Sequence, residues 1–369
     1  MTEPIPLVDI AAQQREVAEE VQPEVERILA TGAFIGGADV ERFETAYAAY
    51  IGTEHCVGVA NGTDALEIAL RAAGVRNGSE VVIPANTFIA TAEAVVRAGG
   101  TPVPVDVDDD YLLMDPERVA SAVTGRTRAV LPVHLFGQAA PVEHIAKAVE
   151  GTSIVILEDA AQSQGARRNG TAAGALALAA ATSFYPGKNL GAAGDAGALV
   201  TNDAELARTA RLLSNHGSER KYEHEVVGFN SRLDTIQAVV LSAKLARLDA
   251  WNEARRQAAA RYDALLADLD RVRLPQVLPG NEHVWHLYVV RVPERDAVLR
   301  GLHERGIGAG IHYPEPVHRT RAFSGLADGR LEVSERAAGE ILSLPLFPHI
   351  SAAQQERVVD ALREVLGRL

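Results

Sequence analysis

Between residues 55 and 201, short apolar runs alternate with segments of helical periodicity, and this alternation restricts the fold more than any other feature of the sequence. The runs of strand character cover 55–60, 80–84, 101–105, 129–133, 154–159, 182–185 and 198–201. Strands that alternate with helices form a mostly parallel sheet covered by helices on both faces. The sequence therefore predicts an α/β fold with a seven-stranded sheet, whose ligands bind at the carboxyl ends of the strands.

After residue 205 the alternation stops. The predicted elements there are helices over 205–216, 234–269 and 295–305 and strands over 284–292 and 307–312. Helices and strands that no longer alternate are typical of an α+β arrangement. With 369 residues, the chain is long enough for two domains. We predict a large domain over 1–245 and a smaller C-terminal α+β domain over 246–369.

A helical pattern also covers residues 11–31, before the first strand. Its apolar positions include Val17, Val21 and Val25, and Pro23 lies inside it. Proline lacks a backbone N–H and its ring clashes with the preceding turn. Either the helix is kinked at Pro23, therefore, or a second helix begins there.

One lysine stands on a turn directly after the sixth predicted strand. Pro186 and Gly187 end that strand and present Lys188, and Asp159 is the last residue of an earlier buried strand. Each feature alone is weak, since most turn lysines are solvated and most aspartates at strand ends form caps or turns. Together they are the pair that pyridoxal phosphate (PLP) requires. The lysine amine forms a Schiff base with the cofactor, and the carboxylate keeps its pyridine nitrogen protonated.

Other residues can hold further parts of such a cofactor. Gly62 and Thr63 follow the first strand and open a helix, whose free N–H groups can form a phosphate cradle. An ordinary helix cap is the alternative interpretation. Ser183 precedes the lysine turn and can offer its hydroxyl to the same phosphate. Phe88 follows a strand end and can stack on a flat ring, although core packing is the usual role of phenylalanine.

The charge balance bears on possible partners. The chain has 49 acidic and 36 basic side chains, a net charge of −13, and no basic run. Binding to a nucleic-acid backbone needs clustered lysine and arginine, so we expect no nucleic-acid partner. A local basic pocket can still bind an anionic substrate.

The sequence also bears on the cellular compartment. Cys56 is the only cysteine, which excludes an intrachain disulfide and fits a reducing cytoplasm. No second cysteine stands at ligand spacing, so we expect no metal site. The N-terminus lacks the features of a signal peptide, and the apolar run over 172–181 is too short to span a bilayer. We expect a cytoplasmic protein without a membrane partner.

Six motifs, taken in order, resemble those of one enzyme family. They are NGTDAL at 61–66, PANTF at 84–88, PVHLFG at 132–137, EDAAQ at 158–162, SFYPGKNLG at 183–191 and GFNSRL at 228–233. Along essentially its whole length, the chain resembles the PLP-dependent sugar aminotransferases of the DegT/DnrJ/StrS group. The resemblance implies the fold-type I aminotransferase fold and PLP as the cofactor.

The resemblance also implies roles for individual residues around the cofactor ring. Lys188 is similar to the Schiff-base lysine of the family, and Asp159 to the partner of the pyridine nitrogen. Gln162 would lie near the ring hydroxyl, and Phe88 would stack on the ring.

The cofactor phosphate has its own implied set of residues. Gly62, Thr63 and Ser183 would hold it within one subunit. In this family the segment that matches Asn230 comes from the neighbouring subunit. The resemblance therefore implies an obligate homodimer with shared active sites.

The reaction implied is transfer of an amino group from L-glutamate to a nucleotide-linked keto sugar. The segment around Lys188 resembles the branch that acts on C-3 keto groups of dTDP-6-deoxyhexoses in the deoxyaminosugar pathways of antibiotic producers. Weaker candidates for the sugar-nucleotide pocket are Tyr185, Lys221, Tyr222, Tyr313 and His318. The alternatives are a C-4 keto sugar aminotransferase, a non-catalytic regulator of the same fold and a PLP-dependent dehydratase. The presence of Lys188 counts against the last two.

Overall fold

The computed structural model describes residues 3–220, 222–326 and 329–369. In this part of the chain the α-helices are α1 (Ile10–Thr31), α2 (Ala38–Ile51), α3 (Gly62–Ala72), α4 (Ile89–Arg97), α5 (Pro116–Ala122), α6 (Val142–Ala148), α7 (Ala204–Ser214), α8 (Thr235–Leu245), α9 (Leu248–Leu266), α10 (Arg295–Glu304), α11 (Glu332–Glu340) and α12 (Ala352–Leu366). The strands are β1 (His55–Val59), β2 (Glu80–Pro84), β3 (Thr101–Val105), β4 (Thr127–Val130), β5 (Val155–Asp159), β6 (Arg167–Arg168), β7 (Thr171–Ala172), β8 (Ala179–Ser183), β9 (Gly197–Thr201), β10 (Ser218–Arg220), β11 (Glu223–His224), β12 (Asn281–Glu282), β13 (Tyr288–Arg291) and β14 (Ile341–Leu344).

The central sheet has seven strands in the order β1-β9-β8-β5-β4-β2-β3. β9 runs antiparallel to both of its neighbours, and every other adjacent pair is parallel. This confirms the predicted α/β fold with a mostly parallel seven-stranded sheet. The ends of two strands differ from the prediction, since β4 ends at Val130 and β8 at Ser183. After both β4 and β8, the chain leaves the sheet before the end of the predicted apolar run.

Six of these strands, all except β9, end at the same edge of the sheet. β9 is antiparallel to both β1 and β8, so β1 and β8 run in the same direction. β8 is parallel to β5, and the parallel pairing continues through β4 to β2. The segments that follow β1, β2 and β8 therefore lie at one edge, together with Asp159 at the end of β5.

The N-terminal helical pattern forms one helix. α1 runs from Ile10 to Thr31 with Pro23 inside it, so the alternative of a second helix that begins at Pro23 is wrong. Pro23 lies on the exposed side of α1. Water can therefore reach the carbonyl that loses its N–H partner, which makes the proline tolerable.

Residues 234–269 form two helices, which corrects the prediction of one long helix. α8 packs against α1 and α2, whereas α9 packs against α12. A single straight helix could not contact both sets of neighbours. The predicted strand over 284–292 is present in a shorter form as β13, which pairs antiparallel with β14.

The predicted strand over 307–312 is also wrong. Its described pairings are isolated bridges, from Ile307 to Ile5 and from Gly310 to β14. Gly308 lies against the N-terminal segment, where a Cβ atom would be 2.8 Å from the backbone nitrogen of Leu7. The segment thus turns between two partners and does not pair continuously with one.

Two large apolar clusters account for much of the core. One lies between the central sheet and helices α3, α4 and α7, and the other joins α9, α10 and α12 with β13 and β14. Ile5 packs in the second cluster. The division into domains over 1–245 and 246–369 stays a prediction, and the packing of Ile5 ties the start of the chain to the C-terminal part.

Candidate active site

The turn that carries Lys188 is held by its own backbone. The N–H of Lys188 donates to the carbonyl of Tyr185 at 2.8 Å. Gly191 closes the turn so tightly that a Cβ atom there would lie 2.3 Å from the carbonyl oxygen of Pro186. Any other residue at 191 would therefore displace the turn, and with it the lysine.

The side chain of Lys188 is only partly exposed, and the described residues offer its amine no hydrogen bond. Burial lowers its pKa to about 8, against the opposing effect of the negative charge of Asp159. An amine with this pKa is partly unprotonated near neutral pH, whereas an ordinary lysine is almost fully charged. Lys188 is thus prepared to act as a nucleophile.

Asp159 is 4% exposed at the end of β5. Its carboxylate accepts hydrogen bonds from Thr91 Oγ1 at 2.8 Å and from the N–H of Ala161 at 3.2 Å. Burial raises its pKa, while these bonds and the charge of Lys188 oppose the rise. No arginine or lysine forms an ion pair with it among the residues that the structure describes. A cationic group of a ligand would supply the missing partner.

Thr91 is a functional residue that sequence reasoning missed. It gives its single hydroxyl hydrogen to Asp159, so the 2.7 Å contact between Thr87 Oγ1 and Thr91 Oγ1 has Thr87 as the donor. The two threonines therefore orient the carboxylate. Thr87 lies in the PANTF motif at 84–88, but nothing in the local pattern indicates that α4 turns Thr91 toward Asp159.

The start of α3 meets the end of β8. A Cβ atom on Gly62 would lie 2.6 Å from the Cβ atom of Ser183, so only glycine allows this approach. Asn61 caps the helix by accepting from the N–H of Asp64 at 2.8 Å. Asp64 pairs with Arg97 at 2.9 Å, which offsets its negative charge. Free N–H groups and the Ser183 hydroxyl thus lie together, as an anion site requires.

An aromatic ring is exposed at the same edge of the sheet, just before α4. Phe88 follows β2 and is 50% exposed, although most phenylalanines are buried. Its ring centroid lies 5.0 Å from that of Tyr313. Tyr313 accepts a hydrogen bond from Gln162 Nε2 at 3.0 Å, and Gln162 Oε1 accepts from the N–H of Phe136 at 2.7 Å. The open face of Phe88 is available to a flat ligand ring.

The remaining candidates are the residues predicted to contact the sugar nucleotide, together with Asn230. Tyr185 and Tyr222 are exposed, and Asn230 lies exposed after the β10–β11 hairpin, with no described contact to the lysine turn. His318 is 5% exposed and its Nε2 contacts Glu335 at 3.2 Å, which leaves it little surface for a sugar nucleotide. A substrate contact of His318 stays a prediction. Lys221 lies outside the described residues.

Two further features of the described residues concern membranes and metal ions. No helix in that part of the chain is both long and apolar enough to cross a membrane. Across the same residues, no three histidine, cysteine, aspartate or glutamate side chains come together in a way that could hold a metal ion.

An enzyme that bonds covalently to a cofactor or substrate through lysine needs an amine that is partly unprotonated near neutral pH. The carboxyl edge of this sheet provides such an amine, with a buried acid nearby. Ligands of open α/β sheets bind at this edge. The fold and the site thus define the class of lysine-dependent α/β enzymes.

Comparison with known proteins identifies the family. The model of the DegT/DnrJ/EryC1/StrS aminotransferase family matches residues 15–363. The dTDP-3-amino-3,4,6-trideoxy-alpha-D-glucose transaminase of Streptomyces venezuelae is 46% identical over 367 residues, which are 99% of this chain and 97% of that protein. The chain belongs to the DegT/DnrJ/EryC1/StrS aminotransferase family, and the predicted family is confirmed.

Solved structures agree with this assignment. The crystal structure of DesV from S. venezuelae is 45% identical, has a TM-score of 0.96 and matches over 100% of both chains. The structure of ntda from Bacillus subtilis with bound cofactor PMP is 31% identical and has a TM-score of 0.92, covering 100% of this chain and 86% of that one. The overall architecture described above is therefore that of an aminotransferase.

Proposed function

We propose that this protein is a PLP-dependent aminotransferase that uses L-glutamate to convert a dTDP-linked 3-keto-6-deoxyhexose into a 3-amino sugar nucleotide. The observation that carries the proposal is the similarity over 99% of the chain to a dTDP-3-amino sugar transaminase. The names of three relatives as 3-amino sugar transaminases favour C-3 over the C-4 keto sugar alternative. Two relatives, each 44% identical, are named as a pleiotropic regulatory protein and a sensory transduction protein. The presence of both Lys188 and the buried Asp159 favours an enzyme over a non-catalytic regulator.

The residues at the sheet edge fit PLP. Asp159 is a buried carboxylate that contacts no cationic side chain within the described ranges, and a protonated pyridine nitrogen would provide such a partner. The half-exposed Phe88 offers a flat apolar face for the ring. The residues that would hold the phosphate are Gly62, Thr63 and Ser183. The B. subtilis structure with bound PMP supports the same cofactor for this chain.

The chain's own residues then have distinct tasks. Bound PLP supplies an electron sink for the amino transfer. Lys188 Nζ would take the proton from Cα of the amino donor as general base and then, as general acid, deliver it to C4′ of the cofactor. Asp159, oriented by Thr91, keeps its negative charge against the ring nitrogen. Gln162 and Tyr313, joined by a hydrogen bond, stay our candidates for the ring hydroxyl and the sugar.

The spectrum of the purified protein tests this function. We expect an absorption band near ~410–420 nm, the usual region for PLP bound to lysine, which falls when L-glutamate is added while a band near ~330 nm rises. The aminated protein should then react with a dTDP-3-keto-6-deoxyhexose and not with the 4-keto isomer. A protein that stays colourless with added PLP would contradict the proposal.

We also propose that the protein is a homodimer with shared sites. Val227, which follows the β10–β11 hairpin, is 90% exposed, and the neighbouring Tyr222 and Val226 are exposed as well. Such apolar exposure on one segment is typical of an interface. Asn230 follows this segment and, by resemblance, reaches the phosphate of the other subunit.

Mixing two inactive variants tests the shared site. Lys188→Ala and Asn230→Ala each impair every site of their own homodimer. If Asn230 acts across the interface, a hybrid dimer contains one site with both changes and one intact site. An equal mixture after subunit exchange should then recover about one quarter of wild-type activity. If Asn230 acts within its own subunit, no intact site forms and activity stays at the mean of the two variants. Light scattering of the wild type gives the oligomeric state independently.

A further inference from the structure

A chain of buried polar side chains connects the lysine turn with the C-terminal part of the molecule. Gln164, Asn189 and Asn252 are each 1% exposed. Asn252 Nδ2 donates to the carbonyl of Gln164 at 2.9 Å. Asn189 Nδ2 donates to Asn252 Oδ1 at 2.8 Å and to the carbonyl of Val284 at 3.0 Å. Asn189 Oδ1 contacts His286 Nδ1 at 3.1 Å. Asn189 directly follows Lys188, so the chain of bonds ends at the lysine turn.

These bonds determine which nitrogen of His286 carries the hydrogen. Both hydrogens of the Asn189 amide are used, because Asn252 Oδ1 and the carbonyl of Val284 can only accept. Asn189 Oδ1 must therefore accept, and His286 Nδ1 must donate. Burial, together with the positive charges of Lys188 and Arg255, lowers the pKa of His286 far below its ordinary value, so the ring stays neutral.

The same chain of bonds also holds the end of β8. Gln164 Nε2 donates to Thr182 Oγ1 and to the carbonyl of Ser183, each at 2.9 Å. On the other side, the fully buried Arg255 of α9 donates to the carbonyl of Trp285 at 3.2 Å. Because the Lys188 amine has no hydrogen bond to any residue in the described part of the chain, its position depends on how these neighbours hold the turn.

We propose that Asn189 is a positioning residue, which sets the place of the Lys188 amine by anchoring the lysine turn to α9 and to His286. The inference rests on the proposed function, in which Lys188 is the reacting amine. Asn189 itself touches neither the donor nor the cofactor in this scheme. Its loss should therefore slow proton transfer and leave donor binding nearly unchanged.

Two measurements on Asn189→Leu test the inference. A displacement of about 1 Å costs about 10²-fold in rate, so the first half-reaction with L-glutamate should slow about 10²-fold while its half-saturating concentration changes less than about threefold.

The second measurement needs no cofactor. The chain has only four lysines, so the apoprotein labelled by ¹³C reductive methylation gives few resonances. The Lys188 resonance is identified by its absence from Lys188→Ala, because burial lowers the pKa of Lys244 to about 8 as well. The Lys188 resonance should titrate near 8 in the wild type and at a higher pH in Asn189→Leu, whose looser turn exposes the amine.

Asn281→Leu is the matched control. Its amide donates to the carbonyl of Ala139 at 2.8 Å and has no described contact with the lysine turn. The control should lower thermal stability while the half-reaction rate and the Lys188 titration stay as in the wild type. If Asn189→Leu does not fold, His286→Leu removes one bond of the same chain, and His286→Asn restores a donor at the Nδ1 position.

The outcomes separate the two proposals. If Asn189→Leu loses stability like the control but keeps the wild-type rate and the wild-type Lys188 titration, the anchoring role is overturned. If the half-reaction of His286→Asn is as slow as that of His286→Leu, the hydrogen bond donated to Asn189 Oδ1 does not position the lysine. That result also overturns the anchoring role. If the wild type shows no spectral change with glutamate, the proposed function fails, while the apoprotein titration still decides whether Asn189 anchors the turn.

Discussion

Replacing Lys188 with alanine is expected to abolish amino transfer, with a loss of at least about 10⁴-fold in turnover. A positioned acid–base group contributes about 10²–10⁴-fold, and this variant also loses the covalent attachment of the cofactor. The measurement is the release of 2-oxoglutarate from L-glutamate in the presence of the keto sugar. Lys147→Ala, an exposed lysine of α6, is the control and should be fully active.

The attachment site can also be identified directly. The lysines of the chain are at positions 147, 188, 221 and 244. Reduction with borohydride followed by peptide mass spectrometry should place the cofactor on Lys188. Lys244 is the informative competitor, since burial lowers its pKa to about 8 as well. Its amine donates to the carbonyl of Gly191 at 2.8 Å and is therefore occupied. Label on Lys244, or normal turnover in Lys188→Ala, would refute the assignment.

Asp159→Asn is expected to give the second largest effect, a fall of about 10³-fold in turnover, comparable to the loss of one well-placed electrostatic group. Asparagine has nearly the same shape and can still accept from Thr91, so the fold should persist. It has no negative charge to hold the proton on the ring nitrogen. The cofactor should bind, and the half-reaction with L-glutamate should be slow.

Asp203→Asn provides the matched control for this charge removal. Asp203 caps α7 by accepting from the N–H groups of Glu205 and Leu206, both at 2.9 Å. Asparagine is an equally good helix cap, so stability and activity should not change. An Asp159→Asn protein that reacts with glutamate at the wild-type rate would mean that this carboxylate does not act on the ring nitrogen.

Much of the site was predictable because its main groups stand at strand ends. Asp159 closes β5, and Lys188 follows β8, the neighbour of β5 in the sheet. Once the alternation of strands and helices predicts a parallel sheet, its carboxyl edge brings such residues together. The segment over 307–312 was not predictable in this way. Its apolar pattern suits a strand, but its partners are the distant Ile5 and β14.

Local patterns alone were enough to predict the fold class and the family of this protein. Periodicity, turn residues and the order of six motifs can all be read from the sequence. The tertiary structure decided the chemical state of the site. Thr91 reaches Asp159 across 68 positions, and His286 reaches Asn189 across 97. The lowered pKa of Lys188, the orientation of the Asp159 carboxylate and the tautomer of His286 depend on burial and on such distant partners, which exist only once the chain has folded.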